Sequence, residues 1–303
     1  MSKAKKVAII VAISMIVVGI LTMTAAALMS GFDLTNLTSQ DIQTKTFEIK
    51  ESFSKIEINS IDCDVEIMPV SDGQCKVVYK GMEKMLDTVE VKDDKLFIKQ
   101  VDRRKWYEYI SFGWIDENAI TVYLPEEEYQ SLLLKTVSGD ISVSNDFTFY
   151  CAETMSTSGD VSFLANVEDN LRIKSTSGKI RVKNIADGKV EVITTSGDVF
   201  MTEGTPYQLK IKTTSGDVKI SSVISEDAAM IESMSGDIRM ERSDAGSFHM
   251  KTTSGDISGS ILSRKDFDVE TASGDIRLPK SDSSAPKCEI STSSGDVEME
   301  IIS

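Results

Sequence analysis

Eight aspartates, Asp140, Asp160, Asp198, Asp217, Asp237, Asp256, Asp275 and Asp296, each follow a Ser-Gly pair, and a ninth copy of that pair is followed by Lys179. A carboxylate returning every 19 to 21 residues suggests a calcium cage or grouped acids that cleave a polysaccharide. Neither fits well. One carboxylate per copy is a poor cage for an ion that takes about six to eight oxygens. A catalytic cleft needs long loops for walls, and so even an interval leaves no length for them. The aspartates therefore read as turn caps, with calcium as the lesser alternative.

Other reactive groups are sparse. His249 is the single histidine and falls on the outward side of a strand, where it reads as a surface residue. Cys63, Cys75, Cys151 and Cys288 form no CxxC pair. They read as free thiols packed as small apolar groups, with a local bridge between Cys63 and Cys75 as the alternative. The sequence holds no metal-ligand cluster, nucleophile-and-base pairing or phosphate loop, so no catalytic residue, cofactor or metal is expected.

The repeat around the aspartates must position them. Its glycines are Gly139, Gly159, Gly178, Gly197, Gly216, Gly236, Gly255, Gly274 and Gly295. The places seven and five before each glycine, and two and four after it, are apolar in every copy except at Thr154 and Gly259. Period-two alternation of this kind makes each copy two short strands sharing a buried face. Two strands and two tight turns use up about 19 residues and leave none for a helix. The expected fold is all-β, a parallel β-solenoid with two short strands per 19–20-residue coil, preceded by an N-terminal transmembrane helix. An antiparallel β-sandwich is the alternative, but it has no reason to repeat one turn at one interval.

In this frame each glycine marks a corner that needs left-handed backbone angles. Thr or Ser three residues earlier sits on the inward parity, where stacked hydroxyls could bond one another. With coils stacked in chain order, Glu298 and Glu300 flank an unpaired last edge, and charges there discourage end-to-end stacking.

The expected organisation is a cytoplasmic tail (1–6), a transmembrane helix (7–29), a linker (30–50), an irregular β region capping the solenoid (51–130) and nine coils (131–303). "IEINSIDCDVEI" reads as a degenerate coil with Cys63 in the glycine slot. Residues 105–114, "KWYEYISFGW", hold both tryptophans. There Trp106, Tyr107, Tyr109, Phe112 and Trp114 form a candidate binding patch for sugar rings, a protein or lipid headgroups, against the plainer reading of a hairpin folded on the first coil.

Residues 7–29 carry no charge and follow Lys3, Lys5 and Lys6. As a helix of about 35 Å they would cross a bilayer with the amino end in the cytoplasm and the rest outside. A cleaved signal peptide competes, since Ala25 and Ala27 make a small-x-small pair. All 48 acidic residues and all but three of the 33 basic ones lie beyond that stretch, a net charge of −18. Such a surface repels nucleic acid and anionic lipid.

The apolar segment, the passage "ITVYLPEEEYQSLLLKTVSGDI" and the Ser-Gly-Asp coils after it resemble the bacterial putative-adhesin family over residues 47–303. The resemblance implies a β-strand-repeat surface protein of the bacterial cell envelope, with relatives often encoded beside envelope-stress signalling genes. Two non-enzymatic roles follow. In one, the acidic solenoid is an adhesive or binding surface for an envelope protein or cell-wall polymer. In the other, the chain is a membrane-tethered accessory that modulates an envelope-stress sensor or transporter through its anchor.

Overall fold

The computed structural model describes residues 3–29, 42–71, 73–82, 85–103 and 118–302. They belong to two units, one comprising 1–42 with 103–116 and the other 43–102 with 117–303. In the first lies helix α1 (Lys3–Met29). Among the described residues no helix is long and apolar enough to cross a membrane. The transmembrane part of the expected fold therefore rests on the sequence of residues 7–29 alone.

The second unit is built of strands. They begin with β1 (Ile42–Glu48), β2 (Lys55–Asn59), β3 (Asp64–Pro69), β4 (Lys76–Met82), β5 (Leu86–Lys92), β6 (Lys95–Gln100), β7 (Ala119–Leu124) and β8 (Glu128–Lys135). Next come β9 (Ile141–Val143), β10 (Thr148–Ser156), β11 (Val161–Phe163), β12 (Asn166–Ser175), β13 (Ile180–Ala186), β14 (Lys189–Ile193), β15 (Val199–Thr205) and β16 (Gln208–Lys212). The last are β17 (Val218–Glu232), β18 (Ile238–Lys251), β19 (Ile257–Ile261), β20 (Asp266–Ser273), β21 (Ile276–Arg277), β22 (Lys287–Ser294) and β23 (Val297–Ile301).

The β-solenoid expected from the alternation is present. One parallel sheet runs β6, β2, β8, β10, β12, β14, β16, the end of β17, the end of β18, β22, β20. The other runs β7, β3, β9, β11, β13, β15, the start of β17, the start of β18, β19, β23, β21. At about 4.8 Å per rung these stacked rungs are roughly 50 Å long. Register follows the motif: Lys212 pairs with Glu232 and Glu232 with Lys251, so Lys212 and Lys251 lie two rungs apart. Cys63 does occupy the glycine slot, since Ile56 pairs with Leu132 and Val65 with Ile141.

The order of rungs corrects the expectation at the C-terminal end. The Gly295 rung (β22 and β23) is inserted between the Gly255 rung and the Gly274 rung, so β20 and β21 are outermost. Glu298 is therefore paired on both sides, with Ser258 and Arg277, and does not lie at an open edge, whereas Glu300 pairs with Ser260 alone. Side-chain fit accounts for the exchange: Phe248 meets the small Cys288 instead of Phe267, and Met299 packs beside Gly259, which has no side chain. At the other end the Cys63 rung is covered by β6 and β7, with β5 and β4 added antiparallel outside.

Burial reports the same order. Of the inward places, only Gly259 and those of the Gly274 copy, Phe267, Val269, Ile276 and Leu278, are not buried. An end rung has a neighbour on one side only.

Candidate binding surfaces

The Ser-Gly-Asp corners form one column, in the order Gly236, Gly255, Gly295, Gly274 at the C-terminal end. Their glycines serve a purpose other than the one expected. Only Gly159 (φ +124°) and Gly178 (φ +105°) lie at positive φ. What every copy shares is closeness: a Cβ on Gly216 would stand 1.9 Å from the Gly197 carbonyl oxygen, and one on Gly295 would stand 2.1 Å from that of Gly255. Glycine is required because the rung beneath occupies the place of a side chain.

The aspartates do cap turns, and they do so from rung to rung. The backbone N–H of Asp160 donates to Asp140 Oδ1 at 2.7 Å, that of Asp256 to Asp237 Oδ1 at 2.9 Å, and that of Asp296 to Asp256 Oδ1 at 2.8 Å. Asp275 completes the column by donating to Asp296 Oδ1 at 2.8 Å. Lys179 interrupts it, and Arg181 reaches back to Asp160 at 3.5 Å. With one oxygen of every carboxylate except that of Asp275 engaged in this way, the column is a backbone ladder. Among the described residues, no group of His, Cys, Asp or Glu is placed to hold a metal ion.

The inward hydroxyls differ from expectation too, because they bond backbone and not one another. Thr194 and Thr213 accept from the N–H of Gly197 and Gly216 at 3.1 and 3.0 Å. Thr252 and Thr292 donate to the carbonyls of Gly236 and Gly255 at 3.1 and 3.2 Å. At the N-terminal end, among the described residues, no Ser-Gly-Asp copy lies beneath Cys63, and the Gln100 side chain supports that corner. Its Oε1 accepts from the N–H of Ile61 at 2.6 Å and from the Ser60 hydroxyl at 3.0 Å, with the side chain buried. The sequence carried no signal for this residue, whose Oε1 also accepts from the Asp62 N–H at 3.3 Å, in place of the carbonyl that Ser158, Ser177, Ser196 and Ser215 each take from the rung beneath.

Both sheet faces expose columns of charge. Glu191 bridges Arg172 (2.9 Å) and Lys210 (2.8 Å), and the Lys210 hydrogen bond holds its carboxyl below the usual range. His249 lies on the surface as expected, 3.2 Å from Glu289 on the inserted rung. All four cysteines are free thiols. Burial pushes Cys63, Cys75 and Cys288 up to about 12, which leaves them inert as nucleophiles at neutral pH.

One buried charge was not anticipated. Lys265, 1% exposed, sits where the chain passes over the inserted rung. Its ammonium donates to Asp244 Oδ1 and to the Ala245 carbonyl, both at 2.7 Å, and lies 5.5 Å from the centre of the Phe248 ring. It pins the outermost rung to the corner below.

Among the described residues, open grooves accompany the ends of the stack. One of about 430 Å³ has Ile49, Phe53, Cys75 and Tyr129 along its floor. Two others, of about 610 and 640 Å³, flank the outermost rung. Trp106, Tyr107, Tyr109, Phe112 and Trp114 lie outside the described residues.

A profile of the family described as Toastrack DUF4097 matches residues 53–258 and 244–303. No curated protein matches the chain. Among solved structures, a putative lipid binding protein from Parabacteroides distasonis ATCC 8503 is 18% identical over 85% of this chain and 97% of its own, with a TM-score of 0.45. A putative adhesin from Bacteroides fragilis NCTC 9343 is 14% identical over 87% of this chain and 98% of its own, with a TM-score of 0.35.

Proposed function

Because this chain belongs to the Toastrack DUF4097 family, we propose that it is a non-enzymatic protein of the bacterial cell envelope, with a rigid β-solenoid as its binding surface and α1 as its membrane anchor. The observation that carries this reading is how side chains are divided between structure and surface. The motif residues repeated in every copy hold backbone to backbone, while the outward columns differ from rung to rung and face solvent. A surface that varies on an invariant frame suits recognition.

The anchor reading rests on the uncharged sequence of residues 7–29 after Lys3, Lys5 and Lys6. The aromatic patch from Trp106 to Trp114 is the first candidate for contact with cell-wall polymer.

Fractionation with protease shaving of intact cells tests localisation. A C-terminal tag in the membrane fraction and cleaved from outside is expected; a tag in the cytosol would overturn the reading. Replacing Trp106 and Trp114 with Ala should weaken binding to isolated wall polymer, and unchanged binding would remove the patch from the account.

A further inference from the structure

The two ends of the solenoid are finished differently. At the N-terminal end, antiparallel β5 and β4 lie outside the first rung. At the C-terminal end, among the described residues, β20 pairs with β22 on one side only and β21 with β23 on one side only. Three observations say what would complete that end. Phe267 and Val269 are incompletely buried and Ile276 is 45% exposed, so apolar surface awaits cover. Outward on β20, Asp268 and Glu270 are exposed, with Glu289 beside Asp268 on the next strand in. The Asp275 N–H joins the carboxylate ladder, but Asp275 is its last member and no rung lies beyond to donate to its own carboxylate. Ser281 and Asp282 already cover the start of β20, the Phe267 N–H donating to Ser281 Oγ at 2.9 Å and the Asp282 N–H to the Lys265 carbonyl at 3.1 Å, so the edge offers acceptors and negative charge only from Asp268 onward.

We propose that the free edge of β20 is a docking site for an extended segment of a partner protein in which basic side chains alternate with apolar ones. Such a segment would add as one more strand beyond Ser281, its apolar residues over Val269 and its lysines or arginines opposite Asp268 and Glu270. The groove of about 640 Å³ lined by Val269, Glu270, Ala272 and Ile276 gives it room. A second copy is a poor occupant, because β20 against β20 sets Asp268 and Glu270 against their own kind. Pro279, just beyond β21, has no N–H to pair and confines docking to the β20 sheet. The inference does not depend on membrane attachment.

The test uses the full-length protein in detergent micelles and a labelled, capped peptide of alternating lysine and valine, about eight residues long, read by fluorescence anisotropy. Saturable binding is expected, weakened about tenfold by D268K/E270K. The same charge change on the other face, E298K/E300K, should leave it nearly intact, and β20 amides should gain hydrogen-exchange protection only with peptide present. Equal loss in both double variants would mean general attraction of a cation to an acidic protein and would overturn the proposal. So would equal binding of an alternating glutamate–valine peptide, or self-association that appears only in D268K/E270K, which would make the acidic edge a guard.

Discussion

Each rung turns two corners, and they obey different rules. At the Ser-Gly-Asp corner the backbones of successive rungs approach until a Cβ would stand 1.9 to 2.4 Å from a carbonyl oxygen. The residue there cannot vary. At the opposite corner the interior is filled by side chains, and these change along the stack from Phe147 and Ala165 through Ile185 and Val223 to Ser243 and Lys265. That second corner is also where left-handed angles recur, at Asn184 (φ 60°), Glu203 (52°), Ser222 (56°) and Arg242 (48°), one in each of four successive rungs. Invariant glycine thus marks crowding, while true left-handed backbone is carried by ordinary residues at about 1–2 kcal/mol each. A repeated glycine is not in itself a sign of positive φ.

The contrast can be broken most sharply at Gly216. Gly216→Ala should cost more than about 3 kcal/mol, because its methyl meets the backbone of Gly197 and neither strand can move without disturbing the ladder. Ile185→Val, a change of similar size at the other corner, should cost only about 1 kcal/mol; similar melting temperatures for the two variants would contradict the crowding argument. Lys265→Met should come next at about 3 kcal/mol, since it strands Asp244 beside a buried carbonyl. Adding Asp244→Leu should restore part of that loss, measurable by denaturant unfolding. Gln100→Leu leaves the Ile61 N–H without its acceptor beneath the first glycine-type corner and should cost about 2 kcal/mol. Its loss of hydrogen-exchange protection should be confined to the Cys63 rung. The smallest effect is a gain. Ser222→Gly relieves a left-handed residue and should stabilise by up to about 1 kcal/mol after the entropy of the added glycine; a decrease in melting temperature would deny that the second corner is strained.

Much of the fold was legible because it is local. The parity that buries Leu171 and Ile173 while exposing Arg172 follows from alternation, and the interval between glycines excludes a helix. Cys63 was recognisable as a glycine stand-in from the apolar places around it. The surfaces were less legible. Gln100, Lys265 and the acidic edge of β20 acquire their roles from strands distant in sequence, and nothing in their own neighbourhoods marks them.

By itself the sequence determined the rung: two strands, one buried face and a fixed corner, repeated until a shared core became unavoidable. Only the tertiary structure decided which rung lies last and why the corner must be glycine. Every rung presents the same N–H and C=O groups to its neighbour, so hydrogen bonding cannot choose among them. The choice falls to side-chain fit between rungs, Phe248 with Cys288 and Gly259 with Met299. Those are contacts between residues 40 positions apart, beyond the reach of any local pattern.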